Sequence, residues 1–175
     1  SWSPDGKRMA FTSLGDRVNE IHTMNKNGTG RRRLSNTAAH EGGPAWSPGG
    51  DRIAFSSARD GNDEIYLMGA DGSRQHNLTR NPATDEQPTW SPDGKYLAFV
   101  SDRGGNRDIY VMATNGTMVR RITSHSATDR APAWSPFLPP DVDDGPASAQ
   151  PNLYVLAVGI SDYQQRGSNL QFADD

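Results

Sequence analysis

Trp-Ser-Pro recurs at Trp2, Trp46, Trp90 and Trp134 with a constant spacing of 44 residues, and the three units between them align without a gap. A fixed period of this length restricts the fold more than any composition value. Each unit must be one supersecondary piece that buries its apolar face on its neighbours. Twelve of the 44 columns are identical in all three copies, among them Phe11/Phe55/Phe99, Ile21/Ile65/Ile109, Met24/Met68/Met112, Gly28/Gly72/Gly116 and Pro44/Pro88/Pro132. These are packing and turn residues, so the repeat is read as a folding device.

Each unit reads as four short strands. The first ends in Trp-Ser, and "SPDG" in the first and third units suits a tight turn, with Pro presetting φ and Gly tolerating the last position. The second is "KRMAFTS", "DRIAFSS" or "KYLAFVS", in which Ile53 and Phe55 alternate with the small Ala54. One face takes bulk and the other allows close approach. The third, "EIHTMN", "EIYLMG" or "DIYVMA", is rich in β-formers. It runs into Asn27-Gly28, Asp71-Gly72 and Asn115-Gly116, pairs suited to a hairpin turn. "RRLS", "HNLT" and "RRIT" supply the fourth. Four antiparallel strands per period, with no helical pattern between them, predict an all-β chain of propeller blades.

The pattern P-x-W-S-P-D-G-K-x-x-A-F-x-S-x-R-x-G-x-x-[DE]-I-Y-x-M-x-x-[DN]-G, matched three times in register over residues 1–136, resembles the WD40-like (PD40) repeat of the TolB propeller family. The same repeat occurs in propellers of some prolyl-oligopeptidase-like enzymes and of the tricorn protease. The resemblance implies a partial β-propeller of three four-stranded antiparallel blades, in units 1–44, 45–88 and 89–132, with a fourth begun by 136. Trp2, Trp46, Trp90 and Trp134 are expected on the innermost strands, and with Phe11, Phe55 and Phe99 in the repeat core. The first copy departs most, with Leu14-Gly15 and His22 where the others hold an Arg and a Tyr, and the second has Gly49 for Asp. A propeller closes with about four to eight blades. Three cannot close a ring, so further blades are expected before residue 1.

After the fourth Trp-Ser-Pro the repeat stops. "FLPPDVDDGPASAQPN" makes residues 137–152 an expected Pro-rich linker. "NLYVLAVGISDYQQRGSNLQFADD" then opens with a continuous apolar run, as a strand buried on both faces does. Leu153–Tyr163 and Asn169–Asp175 resemble the opening of caspase-like cysteine peptidases (peptidase C14, metacaspase-related). The resemblance implies that 153–175 begins an α/β domain, incomplete here, whose catalytic His and Cys would lie beyond this chain. Leu153–Ile160 is also the longest apolar run, and it is far shorter than the roughly 20 residues of a membrane-spanning helix.

Composition narrows function by exclusion. A formal net charge of −3 gives no reason to expect nucleic acid or an anionic membrane surface. Leu, Ile, Val and Phe number only 27 of 175, but disorder on that ground also needs a large net charge. With no cysteine, disulfides, Cys-ligated zinc and thiol catalysis are all excluded within this chain.

Glu41, Asp85 and Asp129 share one column, three residues before Pro. In a propeller they would form a channel-facing ring of carboxylates able to hold a cation or a basic peptide segment; the competing and preferred reading is that each caps a turn. Asp60, Asn62 and Glu64 alternate like calcium-loop ligands, and "DVDDG" at 141–145 has a similar look. Neither has the full spacing, so hairpin and linker chemistry explain them better. The acceptor patterns at Asn27, Asn77 and Asn115 fall mainly on turns, and "GRRRL" at 30–34 reads as a solvated outer strand. Tyr66, Tyr110 and the tryptophans recur at fixed columns, which favours core over a stacking site.

No nucleophile, base and orienter set is visible, and no catalytic, cofactor-binding or metal-binding residue is assigned. The function expected is a protein-interaction, sensor or scaffold module in a larger multidomain bacterial protein, periplasmic or cytoplasmic, with a protein or peptide partner. The alternative is the regulatory propeller portion of a caspase-like cysteine peptidase.

Overall fold

The computed structural model describes residues 1–15, 17–124, 126–135 and the short strand Val155–Ala157. All its regular elements are strands. The first sheet holds β1 (Arg8–Leu14), β2 (Asn19–Asn25) and β3 (Arg32–Arg33). The second holds β4 (Glu41–Trp46), β5 (Arg52–Ser57), β6 (Glu64–Gly69) and β7 (His76–Asn77). The third repeats it with β8 (Asp85–Trp90), β9 (Tyr96–Ser101), β10 (Asp108–Ala113) and β11 (Arg120–Arg121). Finally β12 (Pro132–Trp134) pairs antiparallel with β13 (Val155–Ala157). Two blades are thus complete. Blade 1 has three strands, and Ser1 to Ser3, with Trp2 bridged to Met9, lie where the inner strand of the other two blades runs.

The alternation read from sequence decides how the blades stack. Ile53, Phe55, Tyr66 and Met68 of blade 2 pack with Trp46 against Ala10, Ile21 and Leu34 of blade 1. From the other face of blade 2, Ala54, Ile65, Leu67 and Leu78 meet Trp90, Leu97, Phe99, Tyr110 and Met112 of blade 3. Each interface sets the Phe-bearing face of one blade on the Ala-, Ile- and Leu-bearing face of the blade before it, which closes the gap between twisted sheets. Phe55 and Phe99 are fully buried, whereas Phe11 is half-buried. Phe55→Ala is therefore expected to cost about 3–5 kcal/mol in urea unfolding, and Phe11→Ala clearly less. A loss below about 1 kcal/mol at Phe55 would contradict this packing.

Inner strands carry the blade-to-blade staples. Trp90 Nε1 donates to Ala45 O at 2.9 Å and Trp134 Nε1 to Thr89 O at 3.1 Å, each on the preceding inner strand. Trp46 Nε1 instead donates to Gly50 O at 3.0 Å within its own turn, while its backbone N–H donates to Ser1 Oγ at 2.8 Å. Arg8 lies 4.8 Å over the Trp46 ring and Arg52 4.9 Å over Trp90, again from the preceding blade. These indoles are structural parts.

The hairpin glycines do more than turn the chain. Gly72 and Gly116 have φ of +86° and +82°, and a Cβ there would lie 2.9 Å from Leu34 O and 2.7 Å from Leu78 O, on the neighbouring blade. At Gly28, with φ +83°, a Cβ would meet nothing within 4 Å.

Candidate functional site

The inner strands bend where the column Gly43, Gln87 and Ala131 takes left-handed φ of 57°, 57° and 52°. The ladder shifts register at the first two of these, between Gly42 and Ala45 and between Glu86 and Thr89. The next residue is always Pro, which has no N–H to leave unpaired at such a bulge. In blades 2 and 3 this bend turns the start of the inner strand, with its carboxylate, back into its own blade.

Glu41, Asp85 and Asp129 are accordingly buried, at 2%, 0% and 2% exposure. Asp85 receives Arg103 Nη2 at 3.0 and 2.8 Å. Glu41 Oε1 receives Thr37 Oγ1 at 3.0 Å, Ser57 Oγ at 3.1 Å and the Arg59 guanidinium. Each arginine is held by a second contact, Nε donating at 2.8 Å to Ser57 or Ser101 Oγ. Each also lies over two rings of its own blade, Arg59 over Phe55 and Tyr66, Arg103 over Phe99 and Tyr110. Burial pushes the Asp85 carboxyl above its ordinary value despite Arg103. Among the described residues no backbone N–H donates to Glu41 or Asp85, and Glu41 Oε2 and Asp129 Oδ1 have no hydrogen-bond partner.

Blade 1 has Gly15 in the arginine column, yet a guanidinium still occupies the place. Arg31, from the segment entering β3, sits 5.6 Å over Phe11 and donates at 2.8 Å to Ser13 Oγ and at 3.4 Å to His22 Nδ1. The burial and this neighbouring cation lower the His22 pKa. A column-by-column reading of the sequence misses this substitution, since residues 75 and 119 in the equivalent column are Gln and Val.

A second buried acidic column, Glu20, Glu64 and Asp108, ties the third strand to the fourth. Glu20 receives Ser35 Oγ at 2.6 Å, Glu64 receives Thr79 Oγ1 and the Asn81 N–H at 2.9 Å, and Asp108 receives Arg121 Nη2 at 2.6 Å. The [DE] position of the repeat is the signal for it. Asp60, Asn62 and Glu64 do not converge: Asp60 receives the Tyr66 hydroxyl and Asn77, while Asn62 donates to Asn81 O and Ala83 O. Burial, with the Asp60 hydrogen bond, pushes the Tyr66 phenol up to about 12. No cluster of three or more His, Cys, Asp or Glu that could hold a metal occurs among the described residues. Asn27 and Asn115 are exposed and accept from Thr29 and Thr117 inside their turns; Arg32 and Arg33 of β3 are exposed.

The surface that presents itself outward is a groove of about 410 Å³ across the inner strands, lined by Trp2, Pro4, Pro44, Trp46, Pro88 and Trp90 among others. Trp2 is 54% exposed, whereas Trp46 and Trp90 show only 6% and 7%. Ser1, Ser47 and Thr89 place polar groups between these Trp and Pro side chains. A larger cavity, about 470 Å³, lies on blade 2 beside Arg52, Asp71 and His76, away from the inner strands. No helix among the described residues is long and apolar enough to cross a membrane.

A family described as the TolB beta propeller domain matches residues 1–138. Among solved structures, a TolB from Agrobacterium tumefaciens superposes with a TM-score of 0.71 at 29% identity, over 77% of this chain and 49% of that one. TolB from Acinetobacter baumannii gives 0.70 at 28% identity, over 77% of this chain and 34% of that one. The chain therefore spans about half, or less, of the length of these relatives. The tricorn protease, at 21% identity and a TM-score of 0.52 over 74% of this chain and 13% of that one, shares the fold alone. No curated protein sequence matches the chain.

Proposed function

Because this chain belongs to the TolB beta-propeller domain family, we propose that it is a protein-interaction module, a sensor or scaffold within a larger multidomain bacterial protein. Its ligand is an extended protein or peptide segment held across the inner strands. The observation that carries this reading is the groove lined by Trp2, Trp46, Trp90, Pro4, Pro44 and Pro88 across the inner strands. Every arginine and carboxylate of the acidic columns described above serves a blade, so the groove is the part left to a partner. Glu41, Asp85 and Asp129 are assigned to the architecture that shapes the groove, with any role toward a basic ligand limited to their free oxygens.

The test is selection of displayed peptides on the chain, followed by fluorescence titration of those enriched. Trp2→Ala is expected to weaken their binding by about tenfold or more, equal to the loss of one well-packed aromatic contact, with thermal stability nearly unchanged. No enrichment, or binding indifferent to Trp2, would overturn it.

A second reading rests on Leu153–Tyr163 and Asn169–Asp175, whose pattern resembles the opening of caspase-like peptidases. Apart from the strand Val155–Ala157 these residues lie outside the described ones. With no Cys in the chain, thiol-dependent cleavage could come only from sequence beyond it. A fluorogenic peptide panel on a longer form containing a downstream His and Cys would decide, and loss of hydrolysis on changing that Cys to Ala would support this reading.

A further inference from the structure

We propose that Asn115, together with Asn27 in the equivalent turn, is a site of spontaneous covalent modification, losing ammonia through a cyclic imide to become aspartate or isoaspartate. The reaction needs an exposed asparagine amide beside an unshielded peptide nitrogen. Asn27 and Asn115 are exposed, and each is followed by a glycine, at φ +83° and +82°, that the left-handed corner of the hairpin demands. That glycine sets no side chain beside its own nitrogen. The residue that makes the turn also makes it reactive.

The amide carbon is the electrophile, and its oxygen is already held by two donors. Asn115 Oδ1 accepts from Thr117 N–H at 3.1 Å and Thr117 Oγ1 at 2.6 Å, and Asn27 Oδ1 accepts from the same groups of Thr29 at 3.2 and 2.7 Å. Both donors favour the negative charge that gathers on this oxygen as the nitrogen adds. The glycine nitrogen is the nucleophile, and at rest its proton is tied to the Ala113 or Asn25 carbonyl at 2.9 Å. Attack therefore follows a local opening of the turn. The bond from Gly116 N to Asn115 Cγ forms, the Cγ–Nδ2 bond breaks, and ammonia carries off the proton that the glycine nitrogen loses. Water then opens the imide at one carbonyl or the other.

The middle blade shows the seat of the first product. Asp71 occupies the same turn, and its Oδ1 accepts from Ser73 Oγ at 2.6 Å and Ser73 N–H at 2.9 Å. The hydroxyl first, then the amide, hold its carboxyl below the ordinary value. An aspartate at 115 fits the turn in the same way, and each conversion adds one negative charge to the formal −3. Isoaspartate differs, because it puts an extra backbone carbon between residues 115 and 116. Gly116 has no room to shift, since even a Cβ there would lie 2.7 Å from Leu78 O of blade 2. Isoaspartate at 115 thus pries blade 3 from blade 2, where aspartate leaves them joined.

Incubation of the native chain at mildly alkaline pH, with peptide mapping and enzymatic methylation of isoaspartate, tests this. Conversion at Asn27 and Asn115 is expected to run at least about tenfold ahead of Asn62, Asn77 and Asn106, whose successors carry side chains that crowd the attacking nitrogen. Asn115→Asp should keep the urea midpoint of the unsubstituted chain, while the isoaspartate form, separated by chromatography, should unfold at clearly lower urea. Asn115→Gln, whose ring closure is far slower, should remove the loosened form. A native chain that keeps both asparagines while the urea-unfolded chain converts would overturn the proposal. So would conversion spread evenly over all asparagines, or an isoaspartate form as stable as Asn115→Asp.

Discussion

Gly116→Ala is expected to cost about 3 kcal/mol or more, while Gly28→Ala costs about 1 kcal/mol. Both glycines end the same hairpin turn with φ near +82°, so the backbone strain on adding a Cβ is the same. The difference comes from the neighbouring blade. At Gly116 the new methyl would lie 2.7 Å from the Leu78 carbonyl oxygen, a backbone atom that cannot swing aside, and at Gly28 it meets open space. Relief requires blades 2 and 3 to part, which breaks the contact that buries Leu78, Phe99 and Met112. Gly72→Ala, 2.9 Å from Leu34 O, should resemble Gly116→Ala. Urea unfolding of the three variants measures this directly. Equal losses would mean that the column is kept for its turn alone.

Arg103→Leu should be comparably damaging, at about 3–5 kcal/mol, because it strands the Asp85 carboxylate in a site with no exposure. The loss should depend on pH, with a definite sign. Burial holds the folded-state pKa of Asp85 above the unfolded value, so the native chain binds this proton more tightly. Its contribution to stability is then greatest in acid and declines as pH rises from the unfolded carboxylate pKa, about 4, through the folded one. Removing Arg103 takes away a cation that favours the charged form and extends the decline upward. The deficit of Arg103→Leu relative to the unsubstituted chain is thus expected to be smaller near pH 4 than near pH 7, and Asp85→Asn in the same chain should flatten it. Denaturant midpoints across that range give the answer, and a deficit independent of pH would show that lost packing, not charge, dominates.

The period carried most of the fold. Four strands per unit, the Ile53/Phe55 face against the Ala54 face, and the hairpin turns all follow from local preference and alternation, which a sequence displays openly. The bends of the inner strands were hidden, because Gln87 and Ala131 hold left-handed φ for reasons of tertiary fit that their own chemistry does not announce. The pairing of Glu41 with Arg59 and of Asp85 with Arg103 was also beyond a column reading, as each spans 18 residues and depends on the bend. The Gly28 column was legible as a turn and illegible as a contact, since the atom it avoids belongs to the previous repeat. Arg31 is the sharpest case: the guanidinium keeps its position in space while its column holds Gly15. Of the groove, the tryptophans were visible, but only three dimensions separate the exposed Trp2 from the buried Trp46 and Trp90.

The indole staples described above make the repeats something other than independent beads. Trp90 and Trp134 each fasten their inner strand to the one before it, so opening a blade means releasing a neighbour's carbonyl along with its own ladder. In a linear array of such coupled units the middle one is held on both sides and the outer ones on one. Amide protons of β5 and β6 should therefore exchange with solvent last, at the rate set by global unfolding, while those of β1 to β3 escape through local opening. Protection would then fall off toward the ends of the arc, a graded clasp in which the tightest blade is the one with the most company.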